Sequence, residues 1–187
     1  MSPTRSEGWV NGELPWNVNL GSGTTIAGAA TFKRFLAQGS GALTIGNYSC
    51  AVEVGFAVGP QGRISIGNYC YLNACTLLAE QELRIGNFVM IGWGTTVSDT
   101  DFHPLDPAER IRDAIALSPI SNVSRPRIEP RPVVIADDVF VGPACTILKG
   151  ITIGRGAFVE PGSVITRDVP SHARVCGNPA VVIQEKP

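Results

Sequence analysis

The sequence predicts an all-β chain wound as a solenoid, with three flat sides to each coil, one long inserted loop and a short C-terminal tail. Three observations carry this: aliphatic residues recur every six positions, one short segment is nearly repeated along the chain, and Gly and Pro are abundant where charge is scarce. The 187 residues include 21 glycines and 14 prolines, with 44% hydrophobic and 17% charged residues. Both Gly and Pro penalise helix interiors, and wet helical faces would need more Glu, Lys and Arg, so composition argues against long amphipathic helices. Aromatics make up only 7%. Aliphatic side chains must therefore fill the core.

The near-copies are Leu43-Thr-Ile-Gly-Asn-Tyr48, Ile64-Ser-Ile-Gly-Asn-Tyr69 and Leu83-Arg-Ile-Gly-Asn-Phe88, followed later by Val133-Val-Ile-Ala-Asp-Asp138 and Ile151-Thr-Ile-Gly-Arg-Gly156. Their anchors Ile45, Ile66 and Ile85 are spaced by 21 and 19 residues, and Ile135 and Ile153 by 18. Within the copies a step of six runs through Ile85, Ile91 and Val97, and again through Ile135, Val141, Ile147, Ile153, Val159 and Ile165. Four positions after an anchor the residue is small or β-branched, as at Ser49, Cys70, Val89, Thr95, Val139, Cys145, Ala157 and Ser163, with Ile151 the bulky exception. A period of six fits neither a helix nor an ordinary amphipathic strand, but it fits a triangular coil of three six-residue sides. Each aliphatic anchor then points inward onto its copies, the next residue, often Gly, turns the corner, and the small residue packs where space is tight. A β-sandwich with Gly-rich hairpins would share the composition but not six consecutive anchors at steps of six.

In chain order, this places coils over about 20–99, a loop insertion over about 99–132, further coils over about 133–169 and a tail over 170–187, all in a single domain. Fifteen Lys plus Arg against sixteen Asp plus Glu leave a formal charge of −1, with no electrostatic footprint for nucleic acid or an anionic membrane. No apolar run reaches the roughly 20 residues needed to span a bilayer, and Met1 to Trp9 is polar rather than signal-like. A cytoplasmic protein is expected. Cys50, Cys70, Cys75, Cys145 and Cys176 are odd in number and fit no metal pattern, so they read as small, reduced, buried residues.

Pro132-Val-Val-Ile-Ala-Asp-Asp-Val-Phe-Val-Gly142, Ile147-Leu-Lys-Gly-Ile-Thr-Ile-Gly154, Pro161-Gly-Ser-Val-Ile-Thr-Arg-Asp-Val-Pro170 and Gly177-Asn-Pro-Ala180 resemble the hexapeptide-repeat acyltransferases, such as the maltose, galactoside and xenobiotic acetyltransferases. The resemblance covers about Leu20 to Ile183 and weakens before Leu43. It implies a left-handed parallel β-helix, because periodicity alone does not set the hand. It also implies a homotrimer with sites between subunits and coenzyme A lying along the coils. Rotational symmetry would cover the flat apolar sides of such a solenoid.

The repeat breaks once, between Val97 and Pro132, in a polar, Pro-rich stretch too long for an ordinary connection. A coil anchored at Ile85 ends at residue 102, so His103 is the first residue off it. The resemblance implies that His103 is the general base, taking a proton from the acceptor's hydroxyl or amine as that atom attacks the thioester of acetyl-CoA. An imidazole ordinarily titrates near 6.5, where such transfer is efficient. Without the resemblance, a lone His before Pro104 would read as a turn residue. The other histidine, His172, lies in a turn after the last coil and is given no role.

Asp99 and Asp101 alternate with His103, so in an extended segment all three share a side and a carboxylate could orient the imidazole; equally, both could cap turns. For acceptor binding the resemblance points to Asn73, which could otherwise occupy a corner or a stacked polar ladder, and to Glu80, otherwise a solvated charge. For coenzyme A it points to Gly142, Pro143, Pro161, Thr166 and Arg167, the last able to meet a phosphate; glycines and prolines there would also suit a plain corner. Two departures stand out. Pro143 occupies a position often held by Ser and has no N–H, which leaves Gly142 or Ala144 as oxyanion donor, and Val181 and Val182 replace basic residues. The mixed-charge stretch from Pro104 to Arg131 could wall the acceptor site or pack on a neighbouring subunit.

These residues imply an acetyl-CoA-dependent O-acetyltransferase acting on a sugar or polysaccharide hydroxyl. An N-acetyltransferase of an amino sugar or antibiotic is the runner-up, and a non-catalytic β-helix scaffold a more distant alternative. No metal is expected, because a zinc site of the carbonic anhydrase-like β-helix type needs three histidines and this chain has two, 69 residues apart. A sugar nucleotidyltransferase would need a nucleotide-binding domain before Leu20, which the sequence as given does not contain.

Overall fold

The computed structural model describes residues 14–28, 32 and 34–184. The polar Met1 to Trp9 segment and the last three residues of the expected tail lie outside the described residues. The chain forms the expected solenoid. Its first coil consists of β1 (Val18–Leu20), β2 (Thr25–Ala27) and β3 (Arg34–Phe35), and its second of β4 (Leu43–Ile45), β5 (Cys50–Val52) and β6 (Gly55–Val58). The third is β7 (Arg63–Ile66), β8 (Tyr71–Asn73) and β9 (Thr76–Ala79), and the fourth β10 (Glu82–Ile85), β11 (Met90–Ile91) and β12 (Thr96–Ser98). A helix, α1 (Pro107–Ala116), sits in the insertion. Coiling resumes with β13 (Val133–Ile135), β14 (Phe140–Val141) and β15 (Thr146–Ile147), then β16 (Thr152–Ile153), β17 (Phe158–Val159) and β18 (Val164–Ile165).

Corresponding strands of successive coils pair in parallel into three sheets: A from the first strand of each coil, B from the second and C from the third. The register is that of the six-residue period. Ile45, Ile66, Ile85, Ile135 and Ile153 stack in sheet A, as do Phe56, Leu77, Val97, Ile147 and Ile165 in sheet C. All are at most 4% exposed. The small residues four places after the anchors are buried as well, and Ile151, the bulky exception, is 5% exposed.

The tail is more than a tail. After the last coil, β19 (Arg174–Gly177) pairs in parallel with β17, and β20 (Ala180–Gln184) folds back antiparallel on it, so sheet B gains two strands. All five cysteines are free, with Cys50 and Cys176 half-buried rather than buried. Burial pushes the Cys75 thiol up to about 12.

The Ile-Gly-Asn motif has a physical reason that differs from the expected one. Gly46, Gly67 and Gly86 do not supply positive φ; Tyr48, Tyr69 and Phe88 do, at 54°, 55° and 58°. The glycines are required by close approach, since a Cβ on Gly67 would lie 2.5 Å from the Gly86 carbonyl oxygen. That closeness lets the side chains of Asn68, Asn87 and Asp137 accept from the Asn backbone N–H one coil earlier: from Asn47 at 2.7 Å, Asn68 at 2.9 Å and Asn87 at 2.7 Å. Gly67→Ala is expected to lower stability by about 1–3 kcal/mol, as overpacking does, measured by urea denaturation.

Candidate active site

The insertion leaves sheet C after β12 and returns at β13 of sheet A, so it springs from the C–A edge of the coils. Its neck is closed by Arg131 N–H donating to the Asp99 carbonyl at 2.8 Å. Within it, α1 starts where local chemistry dictates. Asp106 caps it, accepting from Glu109 N–H at 2.9 Å, and Pro107 opens the first turn, where its missing N–H costs nothing. The buried residue of α1 is Asp113.

Asp113 is the carboxylate that meets the imidazole, in place of Asp99 or Asp101. Its Oδ2 lies 2.6 Å from His103 Nδ1. The same carboxylate receives Arg125 in a bidentate pair, Nε to Oδ1 at 2.6 Å and Nη2 to Oδ2 at 3.0 Å, and Arg125 Nη2 also donates to the Phe102 carbonyl at 3.1 Å. The Asp113 side chain is 1% exposed and that of His103 54%. The hydrogen bonds from Arg125, then from His103, lower the Asp113 carboxyl to about 2. An ionised carboxylate only accepts, so Nδ1 carries the proton and donates it, leaving Nε2 as the basic nitrogen.

Asp99 and Asp101 are occupied elsewhere. Asp99 is fully buried and accepts the backbone N–H groups of Glu80, Gln81 and Glu82 at 2.8, 2.7 and 2.8 Å, which removes it from any acceptor. Asp101 pairs with Lys149 Nζ at 2.5 Å. The segment is not extended, because Phe102 has φ 65° and His103 N–H donates to the Asp101 carbonyl at 2.7 Å. The alternation that would align the three side chains is broken by that turn.

His103 faces a cavity of about 930 Å³ between the C–A edge and the insertion, whose lining includes Arg34, Glu80, Asp101, Arg125 and Arg127. Glu80 is therefore on the cavity wall, whereas Asn73 is not; it ends β8 in sheet B. Gly142, Pro143 and Pro161 stack at the B–C edge, where a Cβ on Gly142 would meet Pro161. Thr166 and Arg167 are exposed beyond β18 on the C–A edge. The positions expected to hold coenzyme A thus lie on the two opposite edges of sheet C. Neither expected oxyanion donor is free: Gly142 N–H donates to the Val159 carbonyl at 2.9 Å and Ala144 N–H to the Trp93 carbonyl at 2.8 Å. Coil-to-coil bonds use both hydrogens.

Asp113 and Arg125 escaped sequence reasoning, although Asp106-Pro-Ala-Glu109 is a readable helix start. Among the described residues no group of three or more His, Cys, Asp or Glu is placed to hold a metal ion, and no helix is long and apolar enough to cross a membrane.

The chain is thus a parallel three-sided β-helix with a carboxylate-held histidine on an inserted loop. Residues 132–167 match the bacterial transferase hexapeptide family (six repeats). A hexapeptide-repeat-containing acetyltransferase from Vibrio cholerae is 31% identical, with a TM-score of 0.60, covering 75% of this chain and 72% of its own. The chain belongs to the hexapeptide-repeat acetyltransferase family, and its β-helix is left-handed. The Vibrio cholerae protein complexed with acetyl coenzyme A gives a TM-score of 0.62 at 30% identity, covering 75% of this chain and 69% of its own. The Bacillus cereus N-acyltransferase AntD, with dTDP-4-amino-4,6-dideoxyglucose and coenzyme A, shares the fold at a TM-score of 0.69 and 18% identity, covering 90% and 83%. A Staphylococcus aureus 2,3,4,5-tetrahydropyridine-2,6-dicarboxylate N-acetyltransferase is 48% identical over 54 residues, 29% of this chain. The match spans only 23% of that relative's length.

Proposed function

We propose that the protein transfers an acetyl group from acetyl-CoA to a small-molecule acceptor held in the His103 cavity. The observation that carries this is the 2.6 Å contact between His103 Nδ1 and the buried, ionised Asp113. It leaves Nε2 to take a proton from the acceptor as the acceptor atom attacks the thioester carbonyl. The C–S bond then breaks, and the imidazolium, stabilised by Asp113, returns the proton to the departing thiolate.

Sequence reasoning puts a sugar hydroxyl first and an amine second; two observations reverse that order. The Staphylococcus aureus and Bacillus cereus relatives are both named as N-acyl or N-acetyl transferases, and the Glu80 carboxylate on the cavity wall suits an amine. An amino sugar is therefore the leading acceptor.

Coenzyme A would run past Gly142, Pro143 and Pro161 at the B–C edge, which leaves Thr166 and Arg167 on the other edge, the His103 side. Because His103 is beyond the opposite edge of the same sheet, a complete site needs a second copy, which favours a homotrimer with the B–C edge of one subunit facing the loop of the next. The test is a thiol-release assay with acetyl-CoA against sugars, amino sugars and amine-bearing antibiotics. Thiol release with an amino sugar is the expected result, and none with any acceptor would overturn the reading. Sedimentation should return three chains.

A further inference from the structure

Among the described residues, six ionisable side chains line the His103 cavity: Arg34, Glu80, Asp101, His103, Arg125 and Arg127. Four have partners within the chain. Arg125 and His103 hold Asp113, Asp101 holds Lys149, and Arg127 pairs with Glu129 at 3.1 Å. Among the described residues, Arg34 and the Glu80 carboxylate have no hydrogen-bond or ion-pair partner in the structure.

Their places follow from the coil register. Arg34 pairs with Ala57, and Val58 with Ala79, so Gly59 lies one coil below Glu80. The Glu80 carboxylate leans down the axis into the space that a Gly59 side chain would fill. From Gly59, Arg34 is one coil along the axis and two residues along the strand, about 4.8 Å and about 6.6 Å in β geometry. An anion whose charge is felt by Arg125 but which no hydrogen bond holds, and an unpaired cation, therefore face one cavity from backbone positions a sugar ring's length apart.

We propose that Arg34 is a specificity residue that binds an anionic group, a phosphate or a carboxylate, on an acceptor whose amine lies on the Glu80 side. This rests on the reading of the cavity as the acceptor site. The acceptor class is then an amino sugar with a second, anionic substituent. The guanidinium suits either anion because its planar fork matches both. An exposed pair of this kind loses strength in salt, so binding is measured at low ionic strength.

The experiment is calorimetric titration of the full chain, without acetyl-CoA, with glucosamine, glucosamine 6-phosphate, muramic acid and glucose. At least one of the anionic amino sugars is expected to bind at least about tenfold tighter than glucosamine, a difference that single charge-assisted contacts reach. A preference for only one of them identifies the anion. Arg34→Gln should erase the advantage while leaving glucosamine binding unchanged, and Glu80→Gln should erase the preference for glucosamine over glucose. Equal binding of glucosamine and both anionic forms, no binding of any probe at millimolar concentration, or an undiminished preference in Arg34→Gln overturns the proposal. Absence of acetyl transfer alongside the predicted binding preference would count against the enzymatic reading alone.

Discussion

His103→Ala is expected to reduce kcat by about 10²–10⁴-fold, the range a positioned general base contributes, with circular dichroism and sedimentation unchanged. Fold and assembly should survive because the imidazole is half exposed and its bond partner Asp113 keeps the two hydrogen bonds from Arg125. Acetyl-CoA binding should also survive, since the positions assigned to it are on the coils. The measurement is thiol release under saturating acetyl-CoA and acceptor. Undiminished turnover in the variant would sink the proposed chemistry, whereas loss of secondary structure would show that the loop holds the coils together.

Asp113→Asn is expected to cost a similar factor in kcat with little change in KM for acetyl-CoA, although Asp113 touches no reacting atom. An amide can present its N–H to Nδ1, which moves the imidazole proton to Nε2 and blocks the basic nitrogen. A residue that merely braced the loop would move KM and kcat together. Stability supplies a second readout. The folded Asp113 carboxyl is depressed to about 2, below its ordinary value of about 3.9. Its contribution is therefore fully present above about pH 4 and is lost as pH falls through about 2. Denaturation midpoints of the parent should decline between those values more steeply than those of Asp113→Asn. Above pH 4 Asp113 stays ionised, so an acid limb in the rate at higher pH belongs to another group.

Legibility differed between the coils and the insertion. The stacked anchors from Ile85 onward were visible because a solenoid contacts only its neighbours, and there a contact one coil away is a regular step in sequence; Phe56, Leu72 and Leu77, in earlier coils of irregular length, were not singled out. The reason for Gly67 was less visible: the corner residue with positive φ is Tyr69, and Gly67 is needed where the next coil comes close. At the site, His103 was legible as the first residue beyond a coil boundary. Asp99 misled because alternation presumes an extended strand, and the turn at Phe102 removes it. Asp113 and Arg125, ten and twenty-two residues past His103, follow no period.

By itself, then, the sequence determined the triangular coil, its core, the point of interruption and the histidine there, because repetition turns spatial neighbours into regular spacings. Only the tertiary structure decided which carboxylate meets that histidine, that Asp99 is spent on a turn, and that Arg34 and Glu80 share its cavity. Those contacts join an aperiodic loop to coils up to 69 residues earlier. Folding of the insertion around the buried Asp113 carboxylate and back onto the coil edge sets them, and no local spacing encodes it.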